Sequence, residues 1–248
     1  MKNLSGKYCI VTGAGKGIGR AIAERFLEEQ AAGIAILEWD IALAEATAKE
    51  LDPTGERVIA IKCNVADSDM VKAAVDDVVA KFGRVDVLVN NAGVTRDKIF
   101  HKMTDDDWHT VININLNGVY NLCKYVVPVM REQEAGSIVN ITSTSVMGNP
   151  GQANYAASKA ALEGFTRTMA KELGRKNVRM NCIAPGCIDT DMMRAVGEEI
   201  LTRIIRGLPA QRLGRPEEIA SVAAFLASDD ASWLSGETIF VSGAGTLH

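Results

Sequence analysis

Thr12-Gly13-Ala14-Gly15-Lys16-Gly17-Ile18-Gly19 is the stretch whose reading decides the fold. It follows a short apolar run at 8–12 and opens an amphipathic stretch at 17–29 whose apolar residues recur every three to four positions. Glycines between a strand and a helix let the backbone turn tightly and approach a pyrophosphate without Cβ clashes. The helix start then presents unpaired N–H groups and the positive end of its dipole. Glycine also collects in ordinary turns, so the strand–loop–helix context carries the weight of this reading.

Working outward, apolar runs at 34–38, 57–63, 85–90, 137–142, 178–184 and 238–241 alternate with helical stretches at 41–51, 68–82, 105–130, 155–173 and 216–227. The runs are near-continuously apolar, as strands are when both faces of a parallel sheet are covered. This pattern predicts a Rossmann-type α/β fold: a doubly wound, parallel, seven-stranded sheet with helices on both faces. One domain is expected to span 1–248. Its single irregular region, from Pro185 to about Arg215, is predicted to hold a substrate-side lid insertion at about 187–214.

Composition narrows the functional classes. Of the 248 residues, 47% are hydrophobic, and Lys+Arg 27 against Asp+Glu 31 gives a net charge of −4. That balance offers no electrostatic case for nucleic acid or an anionic membrane as partner. No apolar run approaches the ~20 residues of a membrane span, and Met1 to Gly6 contains no apolar core of a signal peptide. Five cysteines, without a CxxC pair, suggest a reducing, cytoplasmic setting.

Tyr155 and Lys159 are four residues apart and share one helical face. A free tyrosine, with a pKa of about 10, is a poor base near neutrality. A nearby ammonium is expected to favour the phenolate and bring it toward working pH. Alone, Tyr-x-x-x-Lys is a common helical pair; its reading as the acid/base of a reaction at a C–O centre, with Lys159 also holding ribose hydroxyls, rests on the glycine loop and the order of the motifs along the chain. Glu38 ends the second strand about twenty residues beyond the glycine loop, where a carboxylate accepts the ribose hydroxyls of NAD and repels a 2′-phosphate. Asp105-Asp106-Asp107 after Thr104 reads as a capping box with acids at the positive helix end. His101, His109 and His248 lack ligand spacing, and no metal site is expected.

The glycine loop departs from G-x-G-x-x-G and fits T-G-x-x-x-G-x-G. With Asn90-Asn91-Ala92-Gly93, Tyr155-Ala156-Ala157-Ser158-Lys159, Pro185-Gly186 and Gly236-Glu237, the chain resembles the classical short-chain dehydrogenase/reductase family over nearly its whole length. The resemblance implies an NAD(P)-dependent oxidoreductase with Tyr155, Lys159, Asn115 and a hydroxyl donor after the fifth strand as its catalytic set. Counting back thirteen residues from Tyr155 gives Thr142. Aligning forward from the strand gives Ser143, which is preferred, so this loop reads as one residue short. A local distortion of the helix at Asn115 would anchor water that links Lys159 to solvent. The cofactor set would be Gly13, Gly15, Lys16, Gly17, Ile18 and Gly19, with Asn64 and Val65 bordering the adenine. Asn91, Ala92 and Gly93 would border the adenosine ribose and diphosphate. Pro185, Gly186, Ile188 and Thr190 belong to the nicotinamide end, Thr190 holding the carboxamide.

Val94-Thr95-Arg96-Asp97, Gly151-Gln152-Ala153-Asn154-Tyr155 and 208–214 look like 3-oxoacyl-[acyl-carrier-protein] reductases. That implies a 3-oxoacyl thioester reduced to the 3-hydroxyacyl form, a place in fatty-acid biosynthesis and a homotetramer. Those reductases mostly use NADPH and Lys16 leaves NADP(H) open, whereas Glu38 favours NAD(H). Carrier protein is acidic, and Lys171, Arg175 and Lys176 are the candidates for a basic rim. Competing readings are an NAD-dependent dehydrogenase of another secondary alcohol or hydroxyacyl-CoA, and a nucleotide-binding regulator without turnover. The intact Tyr155/Lys159 pair argues against the regulator.

Overall fold

The computed structural model describes residues 3–245. Seven strands, β1 (Tyr8–Thr12), β2 (Gly33–Glu38), β3 (Val58–Lys62), β4 (Val87–Asn90), β5 (Gly136–Ile141), β6 (Val178–Pro185) and β7 (Thr238–Val241), form one sheet. Its order is β3-β2-β1-β4-β5-β6-β7, and every neighbouring pair is parallel. The chain winds outward from β1 in one direction and from β4 in the other. Between them the strand order reverses, which opens a crevice at the carboxyl ends of the strands.

Two apolar layers explain the unbroken hydrophobic runs. In β1, Cys9 and Val11 face the layer that holds Ile22 and Phe26 of α1 (Gly17–Glu28) and Ile219 and Ala223 of α9 (Pro216–Ala227). Ile10 faces the other layer, among Val75 of α3 (Ser68–Phe82), Leu122 and Val126 of α5 (Gly118–Gln133) and Leu162 of α6 (Ala153–Leu173). Phe165, Met169 and Leu173 of α6 also pack into this second layer. No helix of the described residues is long and apolar enough to cross a membrane.

Local chemistry sets the helix ends. Asp40 and Asp67 cap α2 (Ile41–Leu51) and α3 by accepting first-turn N–H groups, and Gly83 ends α3 in a left-handed conformation. Thr104 and Asp107 form the expected reciprocal box at the start of α4 (Asp105–Ile112). The helix expected at 105–130 is interrupted: a π-helical turn, Asn113–Asn117, separates α4 from α5 and points Asn115 inward. The region expected to be irregular contains two helices, α7 (Asp191–Arg194) and α8 (Glu198–Gly207).

A polar chain crosses the core between sheet and helix. Asn90 Nδ2 donates to Asn140 Oδ1 (2.8 Å), Asn140 Nδ2 donates to Thr166 Oγ1 (2.9 Å), and Thr166 Oγ1 meets Cys182 Sγ at 3.1 Å. All four residues are buried, and apart from long contacts of Asn90 to Cys123 Sγ (3.8 Å) and of Cys182 to Leu162 O (3.9 Å) they satisfy one another. Asn140→Val leaves the Asn90 amide with only its long contact to Cys123 Sγ and the Thr166 hydroxyl with only Cys182 Sγ. The expected loss is about 2–4 kcal/mol, read as a lower urea midpoint at unchanged m-value.

Candidate active site

A cleft of about 1390 Å³ lies over the reversal point, lined by the segments that follow β1 to β6. At its nucleotide end the glycine loop is packed against the turn after β4. Gly13 sits at φ +63, and a Cβ there would stand 2.9 Å from Ala92 Cα. A Cβ on Gly19 would overlap the Gly13 carbonyl oxygen. Asn91 fastens the loop from behind: its Nδ2 donates to the carbonyls of Thr12 (2.9 Å) and Gly13 (3.0 Å). The amides of Asn91 and Ala92 both donate to Thr12 Oγ1 at 3.0 Å.

Lys16, at the N-cap of α1, gives no side-chain cap, and the first turn has no acid. The N–H groups that start α1 beside Gly17 and Ile18 are therefore left for an anion, as a diphosphate requires. Glu38 follows as the carboxylate of this end, its Oε1 accepting from Trp39 N (2.8 Å) and its Oε2 from Gly15 N (3.3 Å). Lys16 Nζ is 3.0 Å from Asp191 Oδ2. Beyond Glu38, Asn64 Oδ1 accepts from Ala66 N (3.1 Å), and the Val65 carbonyl accepts from Asn121 (2.9 Å). A glycine-lined turn, an open helix start and a carboxylate at the next strand end fit a dinucleotide.

At the other end, α6 sets Tyr155 and Lys159 one turn apart over the end of β5. Lys159 Nζ donates to Ile141 O at 2.7 Å and lies 5.7 Å from the Tyr155 ring centroid. Successive side chains at a strand end alternate in direction, which separates the two hydroxyl candidates. Thr142 is buried and donates to Ile183 O (2.9 Å). Ser143 lines the cleft with Tyr155 and accepts from Ser145 N (3.1 Å).

Asn115 Oδ1 accepts from Val94 N (2.9 Å), while its Nδ2 donates to Val94 O (3.0 Å) and toward Ser158 Oγ (3.3 Å). Both its amide hydrogens are engaged, so its side chain steadies the segment after β4. A Cβ on Gly93 would stand 3.3 Å from Asn115 Oδ1 and 3.5 Å from Lys159 Nζ, which leaves this glycine as the spacer between them. Pro185, Gly186, Ile188 and Thr190 complete the wall. Thr190 Oγ1 caps α7 by accepting from Met193 N (3.3 Å) and donates to Ile188 O (3.4 Å).

The electrostatics correct one expectation. Burial pushes the Tyr155 phenol up to about 12, partly opposed by the Ser143 hydrogen bond and reinforced by the charge of Asp97. Burial likewise brings Lys159 down to about 8. Without a ligand, the ammonium does not bring Tyr155 toward neutral pH, because desolvation of the phenolate outweighs attraction across this gap.

Residues to which the sequence reading gave no site role brace the tyrosine. Asn154, fully buried, donates to Arg96 O (3.1 Å) and Asp107 O (3.0 Å) and accepts from Tyr155 N (2.8 Å). Ser158 Oγ donates to Tyr155 O (2.8 Å), and Gln152 Nε2 donates to Asp97 Oδ2 (2.8 Å). Their signal was available: Asn154 and Ser158 are polar residues beside Tyr155 on the inward side of a helix.

In ligand-free protein, phenolate absorbance that is present in wild type and absent from Tyr155→Phe is expected only well above pH 10. A step near pH 8 would mean that the ammonium prevails over burial.

A family model described as Enoyl-(Acyl carrier protein) reductase matches residues 13–245. Among curated proteins, a 3-oxoacyl-[acyl-carrier-protein] reductase FabG of Thermotoga maritima is 45% identical over 243 residues, 97% of this chain and 98% of the relative. Proteins of the same name from Chlamydia trachomatis and Staphylococcus epidermidis are each 43% identical, over 97% and 96% of this chain and 97% and 98% of their own lengths. With its ordered motifs and parallel sheet, the chain belongs to the short-chain dehydrogenase/reductase family of NAD(P)-dependent oxidoreductases.

Proposed function

We propose that this protein reduces a 3-oxoacyl thioester, carried on acyl-carrier protein or coenzyme A, to the 3-hydroxyacyl thioester, with NAD(H) as cofactor. The observation that carries the reading is that the hydroxyls of Ser143 and Tyr155 line the same cleft, in a chain similar over nearly its full length to proteins named for that reaction. Two hydroxyls converging at one place suit a carbonyl oxygen. An enoyl C=C, the bond in the family description, offers no such acceptor at the reacting carbons.

A bound nicotinamide supplies the hydride. Gly13, Gly15, Lys16, Gly17, Ile18 and Gly19 would hold its diphosphate, with Ala92 and Gly93 opposite. Glu38 would hold the adenosine ribose, and Asn64 and Val65 would border the adenine. Lys159 would hold the nicotinamide ribose beside Pro185, Gly186, Ile188 and Thr190. The Tyr155 phenol, kept protonated by burial, gives its proton to the substrate oxygen as negative charge develops there. Ser143 donates a second hydrogen bond to the same oxygen. Asn91 and Asn115 serve by fastening the two segments after β1 and β4.

Glu38 supports NAD(H) over NADP(H), since a 2′-phosphate would meet a carboxylate already oriented by Gly15 and Trp39. Lys16, the cation of this end, faces Asp191, and Arg194 is held bidentate by Asp189 (2.6 and 2.8 Å). For an acidic carrier, Lys171 and Arg175 form no salt bridge among the described residues, whereas Lys176 pairs with Glu134 at 2.7 Å. The segment 187–214, with α7 and α8, would close the substrate side as a lid on a single 1–248 domain. The exposed apolar residues Tyr120, Phe225 and Trp233 favour assembly into a homotetramer, and five unpaired cysteines fit a reducing cytoplasm.

The test is steady-state reduction of acetoacetyl-CoA with NADH and NADPH in parallel. NADH is expected to give the higher kcat/KM, and Glu38→Ser to shift the ratio toward NADPH by about tenfold or more. A wild-type preference for NADPH would overturn the role of Glu38. Tyr155→Phe is expected to lower kcat by about 10²–10⁴ and Ser143→Ala by about 10²–10³, while Thr142→Val keeps kcat near wild type. The reverse oxidation needs Tyr155 as phenolate, so its rate is expected to climb with pH while the reduction does not.

A further inference from the structure

Within α2 the only hydroxyl belongs to Thr47, and it is buried. A threonine inside a helix can turn its hydroxyl back onto the carbonyl four residues earlier. Thr47 Oγ1 instead leaves its helix and donates to Gly15 O at 2.7 Å, 32 positions away in the chain. The same helix lies close under the glycine loop: a Cβ on Gly15 would stand 2.7 Å from Leu43 Cγ. On its other side Gly15 N donates to Glu38 Oε2 (3.3 Å). Neither Gly15 nor Thr47 lines the cleft, whereas Lys16, Gly17 and Ile18 do. Packing alone does not ask for a hydroxyl at 47, because valine or alanine would fill the position and a buried hydroxyl costs free energy unless it is bonded.

The peptide bonds are trans, so the Lys16 N–H points opposite to the Gly15 carbonyl. With that carbonyl drawn toward α2, the N–H is turned toward the cleft, and it has no partner among the described residues. We propose that Thr47 is a positioning residue for the cofactor: by holding the Gly15 carbonyl it aims the Lys16 N–H, beside those of Gly17 and Ile18, at the diphosphate. This rests on the reading above that the glycine loop holds the diphosphate, and it names what holds the loop. Asn91 already fixes the carbonyls of Thr12 and Gly13. Without Thr47 the peptide between 15 and 16 is free to turn over, and a glycine beside it makes that turn easy. The turned peptide presents a carbonyl to the phosphates in place of an N–H.

The experiment measures by calorimetry the affinities of ADP and adenosine for wild type, Thr47→Val, Thr47→Ala and Thr47→Ser, with kcat and the KM for NADH alongside. A hydrogen bond to a charged group is worth about tenfold or more in affinity. The Val and Ala variants are expected to bind ADP about tenfold more weakly and to keep the wild-type affinity for adenosine, which has no phosphate. Their KM for NADH is expected to rise with kcat near wild type, and Thr47→Ser, which keeps the hydroxyl, to restore both ADP binding and KM. Equal weakening of ADP and adenosine, or an ADP affinity that the Val and Ala variants keep, overturns the role of Thr47 and leaves the diphosphate reading standing. A wild type that binds ADP no better than adenosine overturns the diphosphate reading and the role of Thr47 with it.

Discussion

No side chain fits where the loop after β1 meets the turn after β4. Gly13 touches Ala92, Gly19 sits under the Gly13 carbonyl, and the Asn91 amide bridges the carbonyls of Thr12 and Gly13. This is the seam at which the two halves of the sheet diverge, so the clearance of a single Cβ fixes how the halves meet. Because the loop's carbonyls are bound from behind, the N–H groups at the start of α1 face forward. The nucleotide end of the cleft follows from that seam, and so does the placement of Gly93 between Asn115 and Lys159.

The chemical end depends on a second constraint, the burial of Lys159 and the partial burial of Tyr155 at the cleft wall. Burial makes the phenol a weaker acid and the amine a weaker base than they are in solution. The arrangement stores the proton on oxygen until negative charge arises beside it, which suits a donor to a developing alkoxide. The braces at Asn154 and Ser158 hold Tyr155 at the cleft wall through its own backbone groups.

Much of this was legible in the residues. Unbroken apolar runs such as Ile34 to Leu37 signal a strand buried on both faces, and the glycine loop lies between a strand and a helix as its spacing requires. The hydroxyl donor was ambiguous because counting along the chain does not show which way a strand end turns; Thr142 spends its hydroxyl on Ile183 O, which favours Ser143. The π-helical turn left a trace in three asparagines, at 113, 115 and 117, within one helix. α8 was hidden by the glycines and prolines around it, although its own ten residues carry a helical pattern. The shift of Tyr155 is not legible at all, since it arises from burial by segments far apart in sequence.

α8 has no buried residue, and this separates two demands that usually compete. Substitutions in a core wall trade fit for a ligand against folding free energy, so few survive. Here Ile200 and Ile204, which line the cleft, can be exchanged while the sheet, the seam and the tyrosine stay as they are. A lineage carrying this scaffold can thus change what it accepts without first acquiring spare stability, and divergence among its descendants should concentrate in that one helix.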